Sequence, residues 1–273
     1  MRLLFLGDIV GEDSCNAVCE LLNNLIFDCK LDFVIVNGEN AADGFGITGH
    51  IADNLFDAGV DVITTGNHFF DKHCLSRYLM QNDKILRPAN YPDTTYGKGS
   101  GLYRARNGAN VLVANLMGKI YMYGQLDDPF AKAEEIIKNC PLGQYADAII
   151  VDFHAEATSE KQCLGHYLDG RISLLVGTHT HVPTADYKIM PAGTGYISDL
   201  GMCGNYDSSL GLDKQEPLNK FLGKNTKKFE VAIGEITICG IGVDISDSSG
   251  LVEKIEPIII GGALAPRFPS FWK

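Results

Sequence analysis

Short apolar runs alternate with stretches of helical spacing along most of the chain. Residues 2–6 form a brief apolar run, read as a first strand. Residues 12–28 then carry Val18, Leu21, Leu22, Leu25 and Ile26 at the spacing of one helix face. Further buried strands are predicted at 33–36, 60–64, 111–115, 148–153 and 173–176, and helices at 51–58, 71–81, 130–139 and 158–168. Gly59 is a fitting helix stop, and Thr158 or Ser159 a fitting N-cap. Strands separated by helices predict a largely parallel sheet covered on both faces. The pattern changes in the last third. Phe229, Val231, Ile233, Ile236, Ile238 and Ile241 alternate, and residues 251–260 continue in that style. These are expected to be antiparallel strands closing a second sheet, which makes the fold class an α/β sandwich flanked by helices. No internal repeat or low-complexity linker is visible, so one domain is expected over residues 1–273. Residues 87–130 are the least regular and could form a small cap.

Composition narrows this picture. The chain has 273 residues, 45% hydrophobic and 21% charged, as an ordinary globular protein has. There is no apolar run of membrane-spanning length. The first apolar stretch meets Asp8 too early for a signal peptide. Eight cysteines include no C-x-x-C pair, so free thiols and a reducing cytoplasm are expected. Cys15 and Cys19 share one helix face and are expected in or near the core. The net charge of −11 disfavours stable binding of duplex nucleic acid. It leaves room for a small anionic substrate drawn to a local cationic centre. No basic or aromatic nucleic-acid module is visible. A homo-oligomer is left open.

Five polar segments fall at or just past the carboxyl ends of predicted strands: Gly7-Asp8, Asn37-Gly38-Glu39-Asn40, Gly66-Asn67-His68, Asp152-Phe153-His154 and Gly177-Thr178-His179-Thr180-His181. Ser198-Asp199-Leu200-Gly201 follows. Ligands bind at that edge of open α/β sheets. Carboxylate, amide oxygen and imidazole together suit manganese, iron or zinc; magnesium and calcium sites would use oxygen alone. In an extended segment, His179 and His181 would point to one side and Thr180 away. Asp152 could orient His154 or be a buried structural carboxylate. Each segment has a plainer reading. Asp8 could cap the next helix, Asn37 to Asn40 could be a turn, and Asn67 a left-handed turn residue. Those readings must jointly explain five polar strand ends in one chain, and the metal reading is preferred. His50, His73 and His166 lack partner motifs. Met117, Tyr121 and Tyr123 are candidates for lining a pocket, with loop packing the plainer reading. The glycine-rich stretch 43–49 is either a substrate loop or a tight turn.

These segments resemble the calcineurin-like metallophosphoesterase superfamily, which reads D-x-H, G-D, G-N-H-[DE], a His, then G-H-x-H. Two departures stand out. No His follows Asp8 in Asp8-Ile9-Val10-Gly11, and the bridging acid is Glu39 instead of Asp. Both are features of one bacterial branch, the YmdB-like family, described as 2′,3′-cyclic nucleotide phosphodiesterases. The resemblance runs the length of the chain. It includes Val36-Asn37-Gly38-Glu39-Asn40-Ala41-Ala42, Thr65-Gly66-Asn67-His68, residues 151–161, residues 177–186 and Asp199-Leu200-Gly201-Met202. Phe70 stands where relatives commonly carry Trp.

The resemblance implies a four-layer sandwich and two divalent metal ions, iron or manganese first and zinc after them. It implies that Asp8, Glu39, Asn40 and His181 hold one metal. Glu39, Asn67, His154 and His179 would hold the other, with Asn40 in place of the missing His. It assigns His68 as the proton donor. The implied reaction is phosphodiester hydrolysis, with 2′,3′-cyclic nucleotides as substrates. A metal-bridging hydroxide would attack in line, and imidazolium His68 would protonate the leaving alkoxide. Two other functions stay open: a phosphomonoesterase or nucleotidase on the same centre, and a nucleotide-sensing regulator that does not hydrolyse.

Overall fold

A computed structural model describes residues 1–92 and 94–272. The chain runs β1 (Arg2–Val10), α1 (Glu12–Asp28), β2 (Phe33–Asn40), α2 (Gly49–Asp57), β3 (Val62–Thr64), α3 (Leu75–Leu79), β4 (Ile85–Leu86), β5 (Ser100–Arg104), β6 (Asn110–Met117) and α4 (Pro129–Asn139). It continues with β7 (Ala148–His154), α5 (Thr158–Leu168), β8 (Leu174–Thr178), β9 (Lys188–Ile189), β10 (Gly195–Ile197), β11 (Met202–Asn205), α6 (Gln215–Phe221), β12 (Ile236–Ile245) and β13 (Val252–Ile260).

Two mixed sheets face each other. One is ordered β13-β12-β11-β1-β2-β3-β4, the other β5-β6-β7-β8-β10-β9. The apolar runs are continuous because both faces of these strands are covered. Along β1 the side chains divide by parity. Leu3 and Phe5 enter the core between the sheets with Phe33, Ile35, Val113, Ile150 and Val176. Leu4 and Leu6 face the outer core, with Val18, Leu22 and Leu25 of α1 and Leu55 of α2. A third core packs Leu164 and Leu168 of α5 and Ile137 of α4 on the second sheet. The layers are therefore helix, sheet, sheet, helix.

Helix starts follow local chemistry. Glu12 and Asp13 occupy the first turn of α1, where the helix dipole favours acids. The Thr48 hydroxyl accepts the Ile51 amide to cap α2, and Asp128 caps α4 ahead of Pro129. Gly59 follows α2 at φ 100°, as a helix stop should.

Several expectations need correction. The C-terminal antiparallel pair does not close the second sheet. β12 pairs with β1 and β13 and widens the first. Alternation reveals such strands but not the edge they join. Residues 229–235 hold only a single bridge, Leu212 to Val231. The helix expected over 71–81 shortens to Leu75–Leu79. Neither Thr158 nor Ser159 caps α5; Ala157 precedes it, with no side-chain cap. The stretch 87–130 supplies β5 and β6 to the second sheet; Asp93 lies outside the described residues. No helix among the described residues is long and apolar enough to cross a membrane. All eight cysteines are free, with Cys15 buried and Cys19 half-buried.

Candidate metal centre

The parallel strands β1, β2 and β3 of one sheet and β6, β7 and β8 of the other end at a common edge of the sandwich. That edge gathers all seven candidate ligands. Pairing of β1 with β2 is irregular on both sides of Asp8, which re-aims side chains at the site. Asp8, Glu39, Asn40, His154 and His181 are buried, and Asn67 and His179 half-buried.

Two groups of donors converge. One atom each from Glu39, His154 and His179 lie within 4.8 Å of one another, and so do atoms from Asp8, Glu39 and His181. Glu39 belongs to both. The two asparagines lie against these groups: Asn67 Oδ1 is 3.0 Å from His154 Nε2, and Asn40 Oδ1 is 3.2 Å from His181 Nε2.

Hydrogen bonds aim each donor. His154 Nδ1 is 2.9 Å from Thr178 Oγ1, which donates its own proton to Asp152 at 2.7 Å. Thr178 therefore accepts from Nδ1–H, and Nε2 keeps its lone pair. His181 donates Nδ1–H to the Leu210 carbonyl at 2.9 Å, again freeing Nε2. Asn40 donates its amide to Gly44 O at 2.9 Å, so its oxygen faces the site. His179 presents Nδ1 inward, while its Nε2 is 3.3 Å from Glu156.

This donor set fits cations. His154 Nε2 faces three acceptors at once: Glu39 Oε1 at 3.1 Å, Asn67 Oδ1 at 3.0 Å and His179 Nδ1 at 3.1 Å. A proton on Nε2 would serve one of them and leave the others opposing lone pairs. A metal serves all. Asp8 Oδ1 is wholly buried with no hydrogen-bond partner among the described residues, a costly arrangement without a cation. Burial pushes the Asp8 carboxyl well above the usual range, with Glu39 adding to the effect. Burial also pushes Glu39 up, but the adjoining His154 ring outweighs it and holds that carboxyl low. Burial disfavours a proton on His154, yet Glu39 and Asp8 overcome that and raise its affinity for positive charge. Burial lowers His179 and His181, keeping them neutral, the form that ligates metals.

The His-x-His segment is not extended, contrary to the expected alternation. β8 ends at Thr178, and His179 and His181 have φ of 101° and 64°. Such conformations are costly for residues with a Cβ and cluster at functional sites. A buried ion pair holds this one. Lys161 Nζ donates to Asp199 at 2.8 Å and to Thr178 O at 2.9 Å, and Asp199 accepts the Thr180 amide at 3.1 Å. Asp199 thus supports the histidine loop. Two glycines admit the crowding. A Cβ on Gly66 would lie 2.2 Å from His154 Nε2, and one on Gly177 would lie 1.9 Å from Ser198 O.

The plainer readings fail here. Asp8 caps no helix, because α1 starts after Gly11 without a side-chain cap. Asn37 to Asn40 continue β2, and Asn67 is absent from the left-handed region. Asp152 orients His154 through Thr178, while also accepting from Thr64 and Asn37.

A cavity of about 170 Å³ opens over the centre, lined by Glu39, Asn40, His68, His179 and His181 with Val10, Phe45, Leu210 and Leu212. His68 Nδ1 pairs with Asp71 at 2.7 Å, and Phe45 packs edge-on against the ring at 5.0 Å. Phe45 makes the 43–49 stretch part of the cavity, and Gly44 and Gly46 turn it at positive φ. Met117 is buried, while Tyr121 and Tyr123 are exposed and outside the lining. Larger cavities exist, one of about 330 Å³ beside Pro183 and Arg267, but none of the seven candidate ligands lines it.

Sequence reasoning missed roles for Thr178, Glu156 and Lys161. Only Lys161 had a local signal: it shares the buried stripe of α5 with Leu164 and Leu168, where a lysine needs a partner.

A model of the family described as YmdB-like protein matches residues 4–258. The chain belongs to that family. Among YmdB-like relatives, the Bacillus subtilis 2′,3′-cyclic-nucleotide 2′-phosphodiesterase is 45% identical, over 95% of this chain and 97% of its own. A Mycoplasma pneumoniae crystal structure described as a novel phosphatase superposes with TM-score 0.88 at 33% identity, covering 96% of this chain and 93% of that one. The calcineurin-like phosphoesterase YfkN from Bacillus subtilis shares the fold at TM-score 0.56 and 14% identity, covering 95% of this chain and 90% of its own.

Proposed function

We propose that this YmdB-like protein is a phosphodiesterase using two divalent cations, one held by Asp8, Glu39, Asn40 and His181 and the other by Glu39, Asn67, His154 and His179. The observation that carries this reading is that Glu39 belongs to both donor groups. The mixed nitrogen and oxygen donors suit iron or manganese, with zinc next. When bound, such ions supply Lewis acidity to the phosphoryl group and a nucleophile at neutral pH.

The chain's own residues do the rest. His68 overhangs the cavity beside Asn67 without joining either donor group. Asp71 occupies its Nδ1, leaving Nε2 to deliver a proton to the departing ribose oxygen. Phe45, Val10, Leu210 and Leu212 give the cavity an apolar wall for a ribose or base. The name of the Bacillus subtilis relative supports 2′,3′-cyclic nucleotides as substrates. Eight unpaired thiols support a reducing, cytoplasmic setting.

A phosphomonoesterase is the second reading, favoured by the description of the Mycoplasma pneumoniae relative. A sensor needs no proton donor, so His68 favours turnover. The test compares 2′,3′-cyclic AMP and bis-p-nitrophenyl phosphate with p-nitrophenyl phosphate on the manganese-loaded protein. Diester kcat/KM should exceed monoester kcat/KM by at least tenfold. The reverse order would establish the monoesterase, and binding of cyclic AMP without hydrolysis the sensor.

A further inference from the structure

Leu210 and Leu212, which wall the cavity, belong to an excursion of the chain between β11 and β12. Its base is a narrow ribbon. Leu212 bridges Val231, Ala232 N–H donates to Gly211 O at 2.9 Å, and Asp213 N–H donates to Glu230 O at 2.8 Å. α6 and the coil after it continue from the ribbon.

That continuation differs in charge from the rest of the molecule. Residues 214–228 hold Lys214, Lys220, Lys224, Lys227 and Lys228 and one acid, Glu216, in a chain of net charge −11. Glu216 is used internally, accepting the Lys227 amide at 2.6 Å. Lys214 pairs with Asp207. Lys220, Lys224, Lys227 and Lys228 are exposed, and none has an acidic partner among the described residues. Apolar groups stand beside them in the same open position: Phe221 is 88% exposed, and Leu218 and Leu222 are exposed as well.

Lysines without acidic partners, near an exposed ring in the chain, suit single-stranded nucleic acid, although Lys220 also lies 5.8 Å over the Phe229 ring. The ammonium groups neutralise phosphates, and the ring stacks an unpaired base. A duplex hides its base faces and would meet the acidic remainder of the surface. Continuity with the catalytic cavity favours RNA over an anionic membrane. Lys220 lies eight positions after Leu212, most of them in a helix rising 1.5 Å per residue, so the lysines start within about 20 Å of the cavity wall.

We propose that this arm binds single-stranded RNA, and that the substrate is the 2′,3′-cyclic phosphate ending such a strand instead of a free mononucleotide. The proposal rests on the phosphodiesterase reading above. Hydrolysis consumes one water: a P–O bond to the water oxygen forms, and one ribose P–O bond breaks. The freed ribose oxygen takes a proton, and the strand keeps a terminal phosphomonoester. The nucleotides upstream of that end lie along the arm.

The experiment measures kcat/KM of the manganese-loaded full chain on 2′,3′-cyclic AMP and on an oligoadenylate of about seven nucleotides with a 2′,3′-cyclic phosphate end, at low and at fourfold higher salt. It is repeated with K220E/K224E/K227E/K228E. The oligomer should be preferred by tenfold or more. With three phosphates engaged, the salt increase should lower that preference by roughly tenfold to twentyfold, following a slope of about −0.7 per phosphate. The variant should lose the preference and keep its cyclic AMP rate within twofold. If it melts early, the four lysine-to-glutamine changes replace it. Equal kcat/KM on both substrates in the natural chain would overturn the proposal, as would an unchanged preference in the variant. Lysine-dependent sedimentation with phosphatidylserine vesicles and no oligomer preference would overturn it in favour of a membrane. If neither substrate is hydrolysed, the phosphodiesterase reading has failed. Anisotropy with a labelled oligomer then decides the arm: binding lost in the variant keeps it as an RNA surface, and no binding removes it.

Discussion

Replacing Gly66 with Ala should dismantle the centre while adding only one methyl group. The new Cβ would lie 2.2 Å from His154 Nε2 and 2.3 Å from Glu39 Oε2. Ordinary contacts need about 3.4 Å or more, so something must move by roughly 1 Å. Neither neighbour yields cheaply. Both are buried, and His154 is pinned through Thr178 to Asp152. Overpacking of this kind costs about 1–3 kcal/mol of stability. A displacement of about 1 Å at a catalytic centre costs roughly 10²-fold in rate. Because the displaced atoms belong to Glu39, the acid proposed to be shared, and to His154, metal content should fall along with activity. Elemental analysis, a melting curve and diester kinetics on Gly66→Ala would test this together. A variant with natural metal content and kcat/KM within threefold of the parent would refute the placement of Gly66 against the ligands.

Three further outcomes are expected. His68→Ala should retain its metals and lose about 10²–10⁴-fold in kcat on substrates with alkoxide leaving groups; loss of metal would count against its place outside the donor groups. Thr178→Val removes the hydroxyl joining His154 to Asp152, and metal affinity should fall about 10–100-fold in a chelator competition. Lys161→Met leaves Asp199 buried without its ion partner and should destabilise the chain by about 3–5 kcal/mol in urea unfolding; a change under about 1 kcal/mol would mean that the pair is not holding the histidine loop.

Much of the candidate centre was legible because its residues are polar groups at the ends of apolar strands, and strand ends can be read from the apolar pattern. Asp8, Glu39, Asn67 and His154 stood out as candidates in that way. Asn40 did not, since an asparagine after a strand has many turn uses; only the family resemblance singled it out. The reason that His179 and His181 converge was misread. Alternation in a strand would have sufficed, but the chain bends through the left-handed region, and long-range bonds from Lys161 and Asp199 support the bend. Nothing near residue 179 in the sequence encodes that support. The same limit explains the C-terminal strands. Their alternation was visible, yet β1, the strand that β12 joins, lies more than 230 residues away in the chain. The basic stretch at 214–228 was lost in the average charge, and only its exposure in the fold separates it from an ordinary solvated face.

The proposed centre holds two metals that share Glu39. It is tested most directly by counting metal per chain in the natural protein and in Glu39→Gln after equal loading with manganese. About two equivalents are expected in the natural chain, with Glu39→Gln losing both sites together. A natural chain that hydrolyses diesters at full rate with one equivalent or none, or a Glu39→Gln variant that keeps two, would contradict it.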